Sequence, residues 1–106
     1  MQSAWLVLFF AGVAEVTWAV AMKYAEGITR HVPSIVTIAF YLLSAVLLSL
    51  ALRRLPLGTA YAAWTGMGIV GTTILGVFLF QETLTLAQAA CLLLIITGIA
   101  GLKILS

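Results

Sequence analysis

The sequence predicts an all-α integral membrane protein with four transmembrane helices that assembles as an antiparallel dimer. Of its 106 residues, 64% are hydrophobic and 8% are charged, whereas a soluble domain carries about a quarter charged residues. With five basic and three acidic side chains, the chain cannot cover a water-facing surface. The composition therefore excludes a soluble enzyme. It also excludes a disordered chain, which combines low hydrophobicity with high charge.

Four long apolar stretches make up most of the chain, which is predicted to be one domain over residues 1–106. The predicted spans are residues 4–22, 33–52, 58–80 and 84–102. At about 1.5 Å rise per residue, a helix of each length crosses a hydrocarbon core about 30 Å thick. Helices satisfy their own backbone hydrogen bonds inside the membrane. The alternating strands of a membrane barrel do not fit such continuous apolar runs.

Short polar segments separate these stretches in order along the chain. The first loop covers residues 23–32 and contains Gly27. The second covers residues 53–57, with two arginines and Pro56, and the third covers residues 81–83. A proline at the edge of a span is tolerated because its missing N–H needs no partner there. The four helices are therefore expected to follow one another as hairpins.

The basic residues are almost evenly divided between the two ends of this arrangement. With four spans both termini share a side, which carries Arg53, Arg54 and Lys103, while the other side carries Lys23 and Arg30. Lys/Arg asymmetry normally sets topology, so the near balance predicts weak or dual orientation. Many transporters build their site from two inverted halves, and a chain that inserts both ways supplies both as an antiparallel homodimer. Scattered basic residues also exclude a nucleic-acid-binding surface.

Glu15 is the only charged side chain within any of the four predicted spans. A charge near the bilayer midplane costs roughly 2.5 to 3.5 kcal/mol on insertion scales, and such residues usually serve a function. Apolar surroundings favour a protonated carboxyl, and a bound cation competes with that proton. Glu15 is therefore predicted to bind both protons and a cationic substrate. The alternative is a structural carboxyl, held neutral by one hydrogen bond within a helix interface.

Aromatic and hydroxyl side chains recur at a spacing of three residues, which places each pair on one helix face. Trp18 lies three residues after Glu15 in the first span. The second span carries Tyr41 and Ser44 at the same spacing, and the third carries Tyr61 and Trp64. The predicted site wall and hydrogen-bond network consist of Trp18, Tyr41, Ser44, Tyr61 and Trp64. Such rings can pack against an organic cation. The alternatives are aromatic residues of the interfacial belt and hydroxyls that bond their own helix.

The third span is rich in glycine, and residues 66–71 match the dinucleotide pattern GxGxxG. The match is not expected to bind a nucleotide because it lies inside an apolar span and follows no strand. Gly66 and Gly68 are instead predicted to allow a conformational bend or close helix packing. In the fourth span, Cys91 belongs to a stripe of small residues predicted to be a packing face. The motifs indicate no cofactor, no metal and no enzyme.

The chain resembles the small multidrug resistance transporters over essentially its whole length. The resemblance rests on the four spans, on Glu15 in the middle of the first, and on residues 56–66, PLGTAYAAWTG. Residues 23–30 also match the first loop of the family. The resemblance implies an antiparallel homodimer in the bacterial inner membrane that exports small organic cations in exchange for protons.

The resemblance also implies roles for individual residues. The essential carboxylate of the family maps to Glu15, its second-span serine to Ser44, and its third-span aromatic residues to Tyr61 and Trp64. The serine and the aromatic residues are taken to bond or frame the carboxylates. The glycine-containing bend of the family maps to residues 66–68.

Two features indicate which branch of the family the chain resembles. Residues 15–19 and 98–103 are similar to the guanidinium-exporter branch, whereas Tyr41 is more typical of the multidrug branch. Cys91 stands where the fourth span often has a packing glycine. The expected function is proton-coupled export of guanidinium, with substituted guanidinium ions as further candidate substrates. The alternatives are promiscuous export of quaternary ammonium ions and a non-transporting partner or half of a heteromeric pair.

Overall fold

A computed structural model describes residues 2–105 as four α-helices joined by short loops. The helices are α1 (Gln2–Tyr24), α2 (His31–Ala51), α3 (Leu57–Leu79) and α4 (Leu86–Leu105). All four are long and apolar enough to cross a membrane. The predicted all-α class with four membrane-capable helices is therefore confirmed. The ends of the predicted domain, residues 1 and 106, lie outside the described residues.

The loop between α1 and α2 reverses the chain through left-handed backbone. Glu26, Gly27 and Ile28 have φ angles of 49°, 76° and 66°. Gly27 adopts this conformation without strain because it has no Cβ. The carbonyl of Ala25 accepts the N–H groups of the residues four and five positions later, at 2.9 and 3.2 Å. These bonds close the loop, and α2 then begins at His31.

The start of α4 is fixed by a reciprocal pair of hydrogen bonds. The backbone N–H of Gln88 donates to Thr85 Oγ1 at 3.1 Å, and the backbone N–H of Thr85 donates to Gln88 Oε1 at 2.9 Å. This capping box satisfies N–H groups that have no partner within the helix. The helix therefore begins at Leu86, two residues after the first residue of the predicted fourth span.

Small side chains let the helices approach closely on one side of the molecule. Helix α1 packs against both α2 and α3, and α3 also contacts α4. The buried apolar core consists of Ala4, Leu8, Ala51, Leu55, Ala60 and Ala63. Within α4, by contrast, no side chain is buried. The Cα atoms fill a slab of 41 × 34 × 16 Å, so large apolar faces of the helices stay uncovered within one chain.

Ion pairs connect charged side chains at the end of the slab where α1 ends and α2 begins. At one end, Lys23 Nζ lies 2.7 Å from Glu82 Oε2 and Arg30 lies 3.2 Å from Glu26. Lys23 Nζ also lies 4.9 Å from the ring centroid of Phe80. The contacts of Lys23 join the end of α1 to the segment between α3 and α4. The acidic residues outside the spans are thus both paired at this end.

Candidate functional site

The carboxyl group of Glu15 lies in the middle of α1 and packs directly on Gly68 of α3. A Cβ built on Gly68 would collide with the carboxyl carbon and both carboxyl oxygens of Glu15. Gly68 is itself buried. The space that Gly68 leaves is therefore occupied by the carboxyl group. This contact is the centre of the candidate site.

Two further glycines bring α1 and α3 together on either side of this contact. A Cβ on Gly12 would lie 3.0 Å from Met67 Cε, and a Cβ on Gly71 would collide with Val16. Small residues at such positions let membrane helices pack with their backbones close. The carboxyl of Glu15 is thus held in a tight helix–helix interface rather than in an open channel.

Three buried polar atoms have no hydrogen-bond partner among the described residues: Glu15 Oε1, Trp18 Nε1 and Thr65 Oγ1. Buried polar side-chain atoms are normally paired, and leaving one unpaired costs about 1 to 3 kcal/mol. Glu15 also makes no ion pair, because the two described salt bridges lie in the loop regions. These three atoms are therefore available to a ligand, a proton or a second polypeptide.

Ser44 connects three helices by hydrogen bonds. Its side chain is fully buried. Ser44 Oγ donates to the carbonyl oxygen of Ala11 on α1 at 2.8 Å and accepts a bond from Trp64 Nε1 on α3 at 2.9 Å. The only proton of the hydroxyl is therefore used on α1. Ser44 holds the indole ring of Trp64 in place.

The other aromatic residues proposed from the sequence form two pairs. Trp18 on α1 and Tyr41 on α2 meet edge to face, with ring centroids 5.3 Å apart. Tyr61 and Trp64 on α3 lie 5.5 Å apart. Both tyrosines are about half exposed. The sequence pattern places Tyr41 and Ser44 on one helix face, but their surroundings differ. Tyr41 is half exposed, whereas Ser44 is buried among three helices.

The two glycines of the predicted bend contact different helices. Gly68 meets Glu15 on α1, whereas a Cβ on Gly66 would lie 2.6 Å from Ile99 Cδ1 and 3.1 Å from Ile95 Cγ2 on α4. Helix α3 runs without interruption from Leu57 to Leu79. Both glycines therefore serve close packing in this conformation, and the bend stays a prediction.

Thr65 is a half-buried residue of this region, with a buried hydroxyl oxygen, that the sequence analysis does not single out. Nothing in the sequence distinguishes it from the other threonines of the helices. Its buried hydroxyl stands out because it has no hydrogen-bond partner among the described residues. Among the described residues, no three His, Cys, Asp or Glu side chains are grouped closely enough to hold a metal ion.

Replacing Ser44 with alanine is expected to lower the free energy of unfolding by about 1 to 2 kcal/mol, because Trp64 Nε1 loses its buried acceptor. Unfolding of the purified protein in mixed detergent micelles measures the change. The matched control is Ser49→Ala, at an exposed position of the same helix. A Trp64→Phe background should shrink the effect of Ser44→Ala. Equal effects in both backgrounds would contradict a bond between these side chains.

Comparison with known proteins finds a match over almost the whole chain. Residues 3–95 match the family model described as Small Multidrug Resistance protein. A relative from Proteus vulgaris, named guanidinium exporter, is 48% identical over 103 residues, which cover 97% of this chain and 99% of that protein. Relatives of the same name come from Citrobacter freundii and Yersinia pseudotuberculosis. The first is 50% identical over 101 residues, covering 95% of this chain and 96% of that protein. The second is 50% identical over 103 residues, covering 97% of this chain and 99% of that protein.

Proposed function

The chain belongs to the small multidrug resistance protein family, and we propose that it exports guanidinium ions in exchange for protons. It is a transporter rather than an enzyme, and a multi-pass protein of the bacterial inner membrane. The observation that carries the proposal is the Glu15 carboxyl. It is placed midway along a membrane-capable helix and, among the described residues, makes no ion pair and has one oxygen buried without a hydrogen-bond partner. The names of the relatives support guanidinium as the cation.

The chemistry of guanidinium suits such a carboxyl group. The ion is planar, and two of its N–H groups can bond the two oxygens of one carboxylate in parallel. A deprotonated Glu15 therefore binds the cation, and a protonated Glu15 releases it. Because proton and cation compete for the same oxygens, movement of one across the membrane is coupled to movement of the other. Trp18 and Trp64 are the proposed aromatic walls of this site.

An antiparallel homodimer completes this proposal. Two copies would contribute two Glu15 carboxyls, one from each orientation of the chain. The nearly balanced basic residues support insertion in both orientations. The thin slab and the absence of buried side chains in α4 leave apolar surface for a second copy. The small-residue stripe that includes Cys91, exposed in the single chain, is the proposed packing face between subunits.

Proteoliposomes of the purified protein test the exchange. Adding guanidinium is expected to drive proton movement in the opposite direction, whereas a tetraalkylammonium ion of similar charge should give little signal. The apparent Kd for guanidinium should rise as pH is lowered, because protons then occupy Glu15. A guanidinium affinity that is independent of pH would contradict competition at a shared carboxyl. If neither cation drives proton movement and the protein is shown to be folded, the antiporter proposal is contradicted. That result would favour a non-transporting membrane partner or half of a heteromeric pair.

One feature favours a second candidate function, the export of quaternary ammonium ions on the same scaffold. Tyr41 is half exposed and packs edge to face on Trp18, so an aromatic surface is accessible to a cation without N–H groups. Equal proton signals with guanidinium and the tetraalkylammonium ion would support this broader exporter. Tyr41 would then be the first residue to replace.

A further inference from the structure

The hydroxyl group of Thr65 differs from those of five other threonines in the helices. Most hydroxyls inside membrane helices bond a carbonyl oxygen of their own helix. Five threonines here donate to the carbonyl four residues earlier: Thr17, Thr37, Thr72, Thr73 and Thr97. Thr65 Oγ1 makes no such bond, although it is buried. Its hydroxyl is therefore left for something that the single chain does not supply.

The position of Thr65 on α3 places this hydroxyl close to the candidate site. Thr65 precedes Gly68 by three residues, so the two share a helix face and lie within one turn of each other. Gly68 is the residue on which the carboxyl of Glu15 rests. Tyr61, four residues before Thr65, continues the same face. Thr65, which carries one of the unpartnered oxygens, therefore lies one helical turn from the residue that contacts Glu15, which carries another.

Hydrogen-bond inventory distinguishes the three unpartnered atoms. The indole N–H of Trp18 can only donate, and an ionised carboxylate can only accept, whereas a threonine hydroxyl can do both. Guanidinium carries N–H donors on every nitrogen and no acceptor. When the carboxylate oxygens are occupied, its remaining N–H groups still need acceptors, because a buried donor without a partner is unfavourable. Of the three atoms, Thr65 Oγ1 is the one outside the carboxyl that can accept.

We propose that Thr65 is a specificity-determining residue, whose hydroxyl oxygen accepts an N–H of a guanidinium ion bound to Glu15. This inference rests on the proposed function. A quaternary ammonium ion has no N–H and gains nothing from this oxygen. A site that is built to bond a polar group discriminates strongly against a ligand that lacks the group. Thr65 therefore favours guanidinium over quaternary ammonium ions of the same charge.

The test compares affinities for guanidinium and tetramethylammonium in the purified, full-length protein at one pH. Thr65→Val keeps the shape of the side chain and removes the hydroxyl, whereas Thr65→Ser keeps the hydroxyl. We expect Thr65→Val to raise the Kd for guanidinium about tenfold, because one charge-assisted hydrogen bond is lost. The Kd for tetramethylammonium should stay unchanged. Thr65→Ser should stay within about twofold of the wild type, since its hydroxyl remains.

The matched control is Thr73→Val on the same helix, because the Thr73 hydroxyl already bonds the carbonyl of Ile69 at 2.7 Å. It should leave both affinities unchanged. Equal weakening of both cations by Thr65→Val would overturn the inference, and so would no weakening of either. If Thr65→Val is not recovered folded, Thr65→Ala takes its place with the same expectations. A wild-type protein that neither binds nor transports guanidinium would overturn the proposed function itself, whereas normal wild-type binding with an unaffected Thr65→Val overturns the role of Thr65 alone.

Discussion

Glu15→Gln is expected to abolish guanidinium-driven proton movement while the protein remains folded. Glutamine has nearly the shape of glutamate but cannot ionise, so it neither releases a proton nor neutralises a cation. Removing one charge of a buried, hydrogen-bonded pair costs about 2 to 5 kcal/mol, or roughly 30- to 5,000-fold in affinity. Equilibrium binding and proton flux in proteoliposomes both measure this loss.

The control for this substitution is Glu82→Gln. Glu82 carries the same group, but it is about half exposed and paired with Lys23, so its replacement should leave guanidinium affinity nearly unchanged. Guanidinium transport by Glu15→Gln at the wild-type rate would show that the carboxyl of Glu15 is structural. In that case the proposed exchange of proton and cation at this residue is wrong.

Gly68→Ala is expected to reduce transport about tenfold or more, even though alanine is the better helix former. The added Cβ would occupy the place of the Glu15 carboxyl, so either the carboxyl or the whole of α1 has to move. Overpacking of this kind costs about 1 to 3 kcal/mol. Guanidinium affinity and proton flux report on the displaced carboxyl, and helical content by circular dichroism checks that the fold persists.

Gly58→Ala provides the comparison within the same helix. Nothing lies within 4 Å of a Cβ built on Gly58, so this variant should transport guanidinium like the wild type. If Gly68→Ala also transports normally, the contact between Gly68 and Glu15 does not matter for function. A loss in both variants would point instead to a general sensitivity of α3 to substitution.

Hydropathy predicts the four helices because a backbone inside the membrane must satisfy its own hydrogen bonds. The start of α4 depends on a different interaction. Thr83 and Leu84 precede the helix because Thr85 and Gln88 cap it at Leu86. The spacing of a threonine and a glutamine three residues later is visible in the sequence. Apolar content alone does not reveal it.

The candidate site is less predictable than the helices, because its contacts join residues far apart in the chain. An intramembrane carboxyl marks Glu15 as a functional candidate from the sequence alone. The three-residue spacing groups Ser44 with Tyr41, but the hydrogen bonds of Ser44 lead to Ala11 and to Trp64 on other helices. Such bonds depend on how three helices pack, and helical periodicity describes only one helix at a time.

The ion pair between Lys23 and Glu82 has a mechanical consequence. Helix α1 is continuous from Glu15 to Lys23, a distance of about 12 Å along the axis, so the pair links the carboxyl-bearing helix to the segment between α3 and α4. A displacement of that segment relative to α1 would therefore stretch or break the ion pair. Exposed ion pairs contribute only about 0 to 1 kcal/mol and weaken with salt. Higher ionic strength at the membrane surface is therefore expected to weaken this link between the two parts.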